Sequence, residues 1–121
     1  MIKTKSVYYD KPEKSDGTRI LIMRLWPRPF SKEKAKIDEW HRELAPSREL
    51  LSDYNKHKIG WPEYEKTYLA EMKSQTASIR TLAERARRET MTLLCKEETD
   101  EKCHRRLLKG LIERQMRQNC L

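Results

Sequence analysis

The order of hydrophobic and polar residues along the chain predicts strands that alternate with helices. Lys3–Tyr9 is rich in strand-forming residues, and the apolar run Thr18–Trp26 is typical of a strand buried on both faces. Thr90–Cys95 predicts a second buried strand, and Ile37–Trp40 predicts a shorter one. These strands are separated along the chain by segments with a different, helical periodicity.

Helices are predicted between the strands and after the last one. Ser47, which follows Pro46, is a suitable N-cap for one helix, and Pro62 stands at the tolerated first position of the next. Thr76–Arg88 continues with helical spacing, and Leu107–Ile112 supplies the apolar face of a last helix. We therefore predict the α/β class, with a parallel or mixed sheet covered by helices.

Length and composition fit one small domain with a thin core. The chain has 121 residues, of which 38% are charged, and a formal net charge of +8, which favours anionic partners. Leu, Ile, Val and Phe are scarce, but three Trp and five Tyr add apolar surface to bury. We expect a single α/β domain over residues 1–117 and a short tail over 118–121.

The sequence also bears on location and redox state. No apolar run approaches the roughly 18 residues that span a bilayer, and the first residues lack the apolar stretch of a signal peptide. We expect a cytoplasmic protein without membrane contact, either a monomer or a small homo-oligomer. Three sparse cysteines predict reduced thiols rather than a disulfide framework. No cofactor can be identified from the sequence.

The most informative segment joins the last predicted strand to the last helix. Cys95 and Glu97 follow the strand, and Cys103, His104 and Arg105 begin the helix. Ligands of open α/β sheets bind at the carboxyl ends of strands, and a helix N-terminus favours anions and thiolates. One interpretation makes Cys103 a nucleophile, Glu97 or His104 the proton carrier, and Arg105 an anion clamp.

Two other interpretations of the same residues remain open. Cys95 and Cys103 are small enough to be core residues, and His104 has the helical angle of the apolar face. Alternatively, the two cysteines and His104 bind a metal ion, with Glu97 as a fourth group, since zinc accepts all three residue types. The seven residues between the cysteines depart from the C-x₂₋₄-C spacing of structural zinc sites.

A second group of candidate residues lies where the first buried strand ends. Arg24 and Arg28 flank Trp26, and they would lie near Cys95 if the two buried strands are parallel neighbours. The arginines would then form a basic pocket for a phosphate or carboxylate. In the alternative, both arginines pair with carboxylates such as Glu39 or Glu43, and Trp26 is a core residue.

The favoured hypothesis is a pocket that binds an anionic small molecule and has an uncertain catalytic role. Arg24, Arg28 and Arg105 would bind the anion, and Cys103, His104 and Glu97 would carry any chemistry. The remaining lining would come from Asp16, Arg19, Trp26 and Cys95, although Asp16-Gly17 is also typical of a simple turn.

The alternative to a small-molecule pocket is a function of a different class, that of an accessory module that binds nucleic acid. It would use a basic face of the last helix, although no DNA- or RNA-binding motif is present. A plain interaction or structural role is the third possibility. The basic face is predicted to contain Lys102, Arg105, Arg106 and Lys109.

Several short motifs, in order over about residues 3–115, resemble the YeaO-like branch of the domain of unknown function 488 family. That resemblance implies a compact α/β domain with its signature residues gathered in one pocket, and it implies no established reaction. The segment from Cys95 to Arg105 is more similar to the Cys-x-Glu and Cys-His-Arg signature of the other branch, and Pro29 replaces a usual Gly. The matching motifs are Ser15–Gly17 with Arg19, Arg24–Arg28, Asp38–Trp40, Leu44–Ser47, Leu50, Tyr68–Glu71 and Thr92–Leu94.

Overall fold

The computed structural model describes residues 1–28 and 32–118, and its centre is a four-stranded, entirely parallel sheet. The strand order is β1-β4-β2-β3, so the last strand lies between the first two. This arrangement confirms the predicted α/β class and makes the two buried strands parallel neighbours. The strands are β1 (Ile2–Ser6), β2 (Thr18–Leu21), β3 (Glu39–Trp40) and β4 (Met91–Cys95).

Strand β2 is shorter than its apolar run predicts. The run continues to Trp26, but β2 ends at Leu21. The Ile22 amide still donates to the Leu94 carbonyl at 3.1 Å, and β4 itself ends one residue later, at Cys95. Residues beyond Ile22 therefore have no neighbouring strand to pair with, and the chain turns away from the sheet there.

The helices begin close to the predicted positions. Ser47 is the N-cap of α2, because its hydroxyl accepts a hydrogen bond from the Leu50 amide at 3.2 Å. Helix α3 has its proline in the first turn, as predicted, and α4 ends at Ala86 rather than Arg88. The helices are α1 (Lys32–Ala35), α2 (Arg48–Asn55), α3 (Trp61–Glu71), α4 (Thr76–Ala86) and α5 (His104–Gln118), with 3₁₀ turns at Lys14–Asp16, Arg42–Leu44 and Met72–Gln75.

The two faces of the sheet are covered differently. Side chains alternate along each strand, so Ile20 and Leu93 point to one face while Leu21 and Leu94 point to the other. The first face carries the larger core and is packed against residues of α2 to α5. The second face carries a smaller core that includes Ala35 of α1 and the two tryptophans 26 and 40.

Gly17 joins the first 3₁₀ turn to β2 in a conformation that other residues rarely adopt. Its φ is +66°, and a Cβ atom there would lie 2.0 Å from the Thr90 carbonyl oxygen. The next residue, Thr18, donates its amide to the same carbonyl at 3.0 Å. The glycine therefore lets β2 begin directly beside β4, and the predicted turn at Asp16-Gly17 is present.

The helices of the described chain are short or strongly polar. None within residues 1–28 and 32–118 has both the length and the apolar character needed to cross a membrane.

Candidate functional site

A cavity of about 210 Å³ opens where β2 and β4 end and α5 begins. Neighbouring parallel strands end at the same edge of a sheet, so the segments that follow β2 and β4 meet there. Five of the sequence-predicted site residues come together in its wall. The lining residues are Met23, Arg24, Leu25, Pro46, Leu51, Tyr54, Asn55, Tyr64, Cys95, Lys96, Glu97, Lys102, Cys103 and His104.

Arg24 is held at the cavity wall by the segment that precedes α2. Its Nε donates a hydrogen bond to the Pro46 carbonyl at 2.9 Å. That segment is fixed in turn by α3: the buried Tyr68 hydroxyl donates to the Leu44 carbonyl at 2.8 Å, and Glu71 accepts from the Ser47 amide at 2.9 Å. The orientation of Arg24 thus depends on two motifs that are far apart in sequence.

The charged side chains of the cavity are mostly basic. Arg24, Lys96 and Lys102 contribute positive charge, and Glu97 is the carboxylate among the described lining residues. Both lysines and Glu97 are exposed, whereas the aromatic Tyr64 is buried. Burial raises the pKa of Tyr64, so its hydroxyl stays neutral. The cavity therefore combines an apolar floor with a basic rim.

Cys95, Cys103 and His104, which we call the thiol cluster, form a buried polar part of the cavity wall. All three are buried, and one potential ligand atom from each lies within 4.8 Å of the others. His104 Nε2 donates to the Ile22 carbonyl at 2.7 Å, while its Nδ1 is 3.8 Å from Cys95 Sγ. The burial predicted by the core interpretation is confirmed, and the three side chains also converge.

The two thiols of this cluster differ in acidity. A hydrogen bond with Cys103 lowers the pKa of Cys95, and it outweighs the opposing effect of burial. The same hydrogen bond, together with burial, raises the pKa of Cys103 well above its ordinary value. The sequence predicts Cys103 as the reactive thiol, because it stands at a helix N-terminus. In the structure the hydrogen bond between the two thiols instead makes Cys95 the thiol that ionises first.

Arg105 lies elsewhere, and its predicted place on an exposed basic face is wrong. It is 1% exposed, because the loop before α5 folds over it. Its guanidinium donates to the Asp100 carboxylate and to the carbonyls of Lys5 and Glu97. Burial raises the pKa of Asp100, but hydrogen bonds from Thr4 and Arg105 outweigh it and lower that pKa overall. Arg105 thus fastens the loop to β1.

Asp16 and Arg19 are on the other face of the sheet and do not line this cavity. Asp16 is fully buried beneath Lys3, Lys5 and Arg19, and we call these four residues the Asp16 cluster. Arg19 Nη1 is 2.6 Å from Asp16 Oδ2, and Lys5 Nζ is 2.8 Å from Oδ1. Arg19 also donates to the carbonyls of residues 35 and 36. Its bonds hold α1 against the sheet.

Trp26 and Arg28 are also outside the described cavity lining. Trp26 packs edge-on against Trp40, with ring centroids 5.2 Å apart, in the smaller core. Arg28 is exposed, and Pro29 lies outside the described residues. The alternative interpretation pairs these arginines with Glu39, but the Glu39 carboxylate accepts two hydrogen bonds from Arg85 instead.

The sequence pattern did not single out several residues of the cavity wall. Tyr64 of α3 is a core residue that also lines the cavity, and Tyr54 of α2 packs against it at 4.6 Å between ring centroids. Lys102 was assigned to the basic face of α5 rather than to the cavity. Only their position in chain segments that lie near the ends of the strands could have indicated that these residues line the cavity.

Comparison with known proteins identifies relatives of this chain. The profile of the inactive DUF488-N3 subclade matches residues 1–120. The uncharacterized protein YeaO of Escherichia coli is 39% identical over 93 residues, which cover 77% of this chain and 80% of YeaO. The uncharacterized proteins Mb3100c of Mycobacterium bovis and Rv3073c of Mycobacterium tuberculosis are each 29% identical over 69 residues, 57% of this chain and 58% of theirs.

No solved structure matches the chain. The profile match spans nearly the whole sequence, and the similarity to YeaO agrees with the family that the short motifs suggested. The chain belongs to the DUF488 family and, within it, to the subclade described as inactive DUF488-N3.

Proposed function

We propose that the protein binds a small anionic molecule, bearing a phosphate or carboxylate group, in the cavity between Arg24 and the start of α5. The observation that carries this proposal is that Arg24, Lys96 and Lys102 surround one cavity at the carboxyl ends of β2 and β4. Ligand sites of open α/β sheets lie at this position. Three basic side chains against Glu97 give the rim a positive balance that attracts anions.

The size of the cavity limits the ligand. Its volume of about 210 Å³ is below the roughly 300–1,000 Å³ of pockets for drug-sized molecules. A phosphate ester or small carboxylic acid fits this space better than a nucleotide. Arg24 suits such a ligand because a guanidinium presents parallel N–H donors that match two oxygens of a carboxylate or phosphate.

The residues assigned to anion binding change in this proposal. Arg24 keeps that role, Lys96 and Lys102 join it, and Arg105 is replaced because its guanidinium already bonds to Asp100. Arg28 stays a prediction as an anion clamp. Catalysis by Cys103, His104 or Glu97 also stays a prediction. The raised pKa of the Cys103 thiol and the description of the subclade as inactive favour binding without turnover.

The proposal can be tested by calorimetric titration of the reduced, chelator-treated full chain with inorganic phosphate and with succinate. We expect one of the two to bind, and Arg24→Gln to weaken it by about tenfold or more, since a charged hydrogen bond contributes roughly 1.5–3 kcal/mol. Arg106→Gln is the matched control, because Arg106 is exposed on α5 and outside the described cavity lining. Its affinity should stay within about twofold of the wild type.

Two results would overturn this proposal. One is that Arg24→Gln and Arg106→Gln have equal effects, and the other is that neither anion binds. Titration with a single-stranded oligonucleotide then tests the alternative. Oligonucleotide affinity that falls steeply with salt, and that is lost on charge reversal at Arg106 and Lys109, would assign the basic surface to nucleic acid.

A further inference from the structure

The thiol cluster has the donor set of a transition-metal site. Two cysteines and one histidine offer soft sulfur ligands and an imidazole nitrogen, a combination that suits zinc. All three side chains are buried, with donor atoms within 4.8 Å of one another. Their separation in sequence hides this proximity: Cys95 ends β4, whereas Cys103 and His104 stand at the start of α5.

One distance within the cluster is close to that between two ligand atoms of a tetrahedral centre. With a zinc–sulfur bond of about 2.3 Å and a zinc–nitrogen bond of about 2.0 Å, neighbouring ligand atoms in a tetrahedron are roughly 3.5 Å apart. Cys95 Sγ and His104 Nδ1 are 3.8 Å apart. The ligand atoms of all three residues lie within 4.8 Å of one another, so side-chain rotations would be needed to direct them at a common ion.

The imidazole of His104 has the outer hydrogen bond that metal-bound imidazoles have. Its Nε2 donates to the Ile22 carbonyl at 2.7 Å, so Nδ1 carries the lone pair, and Cys95 Sγ lies 3.8 Å from Nδ1 and 4.0 Å from Nε2. A backbone carbonyl bonded to the second ring nitrogen is the usual outer partner of a metal-binding histidine, where it fixes the tautomer and the ring plane. This hydrogen bond joins the start of α5 to the residue after β2, and neither thiol takes part in it.

We propose that Cys95, Cys103 and His104 bind a zinc ion whose fourth coordination position opens into the cavity. Zinc sites that accept a water or substrate have three protein ligands and one open position, whereas closed structural sites have four protein ligands. Here the three ligand residues line the cavity wall themselves. Zinc binding does not depend on the anion proposal; where both hold, the anion is the ligand that reaches the fourth position.

Titration of the reduced, metal-free full chain with Zn²⁺ and Co²⁺, without phosphate, tests this inference. We expect one ion per chain, and for cobalt the intense visible bands of a tetrahedral centre together with thiolate-to-cobalt charge transfer. Cys95→Ser and Cys103→Ser should each weaken binding by more than the roughly 10–100-fold that loss of an outer partner causes. Cys120→Ser, a cysteine outside the described residues, is the matched control and should bind like the wild type.

Each contrary outcome is distinct. A reduced, folded chain that gives no tetrahedral cobalt spectrum overturns the inference without the need for any variant. A loss of binding in Cys120→Ser overturns the proposed ligand set. Formation of a disulfide between Cys95 and Cys103 under mild oxidant, with no metal bound in the reduced chain, would assign the pair to redox chemistry. Phosphate binding is measured separately on the metal-free chain. A failure of the anion proposal can therefore be distinguished from a failure of the zinc proposal.

Discussion

The Asp16 cluster and the thiol cluster lie on opposite faces of the same sheet, and both consist of buried polar side chains. In the Asp16 cluster the buried carboxylate is compensated by cations: it faces Lys5 and Arg19, and the Asp16 backbone carbonyl accepts from the Thr92 hydroxyl at 2.7 Å. In the thiol cluster the donor atoms converge beside a cavity. Burial and charge alone therefore do not mark a binding site, and the thiol cluster differs from the Asp16 cluster because its residues line a cavity.

The low pKa of Asp16 results from the cations and hydrogen bonds that surround its carboxylate. Burial by itself would raise the pKa of this carboxyl, but hydrogen bonds from Lys5, the Glu13 amide and Arg19 outweigh it and lower the pKa to about 2. These bonds join β1, the first 3₁₀ turn and β2. We infer that the cluster stabilises the fold and that the exposed lysines of the cavity, Lys96 and Lys102, contribute little to stability, which gives the following predictions.

The largest effect is expected from Asp16→Ala. The change leaves Arg19, which is 4% exposed, without the carboxylate that compensates its charge, and removal of one partner from a buried pair costs about 3–5 kcal/mol. Urea unfolding followed by circular dichroism measures this. Glu13→Gln is the control, because the Glu13 side chain also pairs with Lys5 but is 62% exposed; it should cost less than about 1 kcal/mol. Equal losses would mean that the cluster is not a structural unit.

Acid should remove part of the same stabilisation in the wild type. The folded-state pKa of Asp16 is about 2, below the ordinary value of 3.8, so the unfolded chain binds the proton more readily. The contribution is present above that ordinary value and is lost as pH falls through about 2. The urea midpoints of the wild type and Asp16→Ala should therefore converge toward low pH. A constant difference between them would contradict the proposed ionisation.

A smaller effect is expected from Tyr68→Phe on the cavity side. The buried hydroxyl donates to the Leu44 carbonyl at 2.8 Å, and loss of a neutral hydrogen bond that leaves its acceptor unpaired costs about 1–3 kcal/mol. The free energy of unfolding measures the loss. Tyr9→Phe, at a side chain that is 65% exposed, should be neutral. Because the Leu44 segment also orients Arg24, anion affinity should fall as well.

The smallest change in stability is expected from Lys102→Gln. Lys102 is an exposed residue at the cavity rim, and surface substitutions of this kind stay within about 0.5 kcal/mol. Phosphate affinity should nevertheless fall, because one positive charge leaves the rim. Unfolding in urea and phosphate titration of the same variant separate the two effects. A loss of stability comparable to that of Asp16→Ala would remove the distinction between the two faces.

Much of the fold could be predicted because it depends on local patterns. Apolar runs gave β2 and β4, and the sequence Pro46-Ser47 gave the N-cap of α2. The end of β2 could not be found in this way, because it depends on where β4 stops. Strand ends are set by the neighbouring strand, and a single run of residues contains no information about that neighbour.

The two clusters show why site prediction was less complete. The turn predicted for Asp16-Gly17 is present, but the placement of Asp16 and Arg19 in the cavity lining is wrong. The partners of Asp16 come from β1 and β2, and no local spacing links them. Arg105 was assigned to an exposed face because a helical projection gives an angle without showing which loop covers it. In the structure the loop that carries Asp100 covers the Arg105 side chain, and Asp100 accepts a hydrogen bond from it. Contacts between distant segments therefore decided both outcomes.

The hydrogen bond from Arg24 to the Pro46 carbonyl has a consequence for the thermodynamics of binding. Immobilising a flexible side chain at an interface costs roughly 0.5–1.5 kcal/mol of conformational entropy. For Arg24 much of that cost is met when the chain folds, since Nε is already bonded at 2.9 Å. An anion that reaches this guanidinium finds it preorganised. Binding should therefore carry a smaller entropic penalty at Arg24 than at the exposed Lys96 and Lys102.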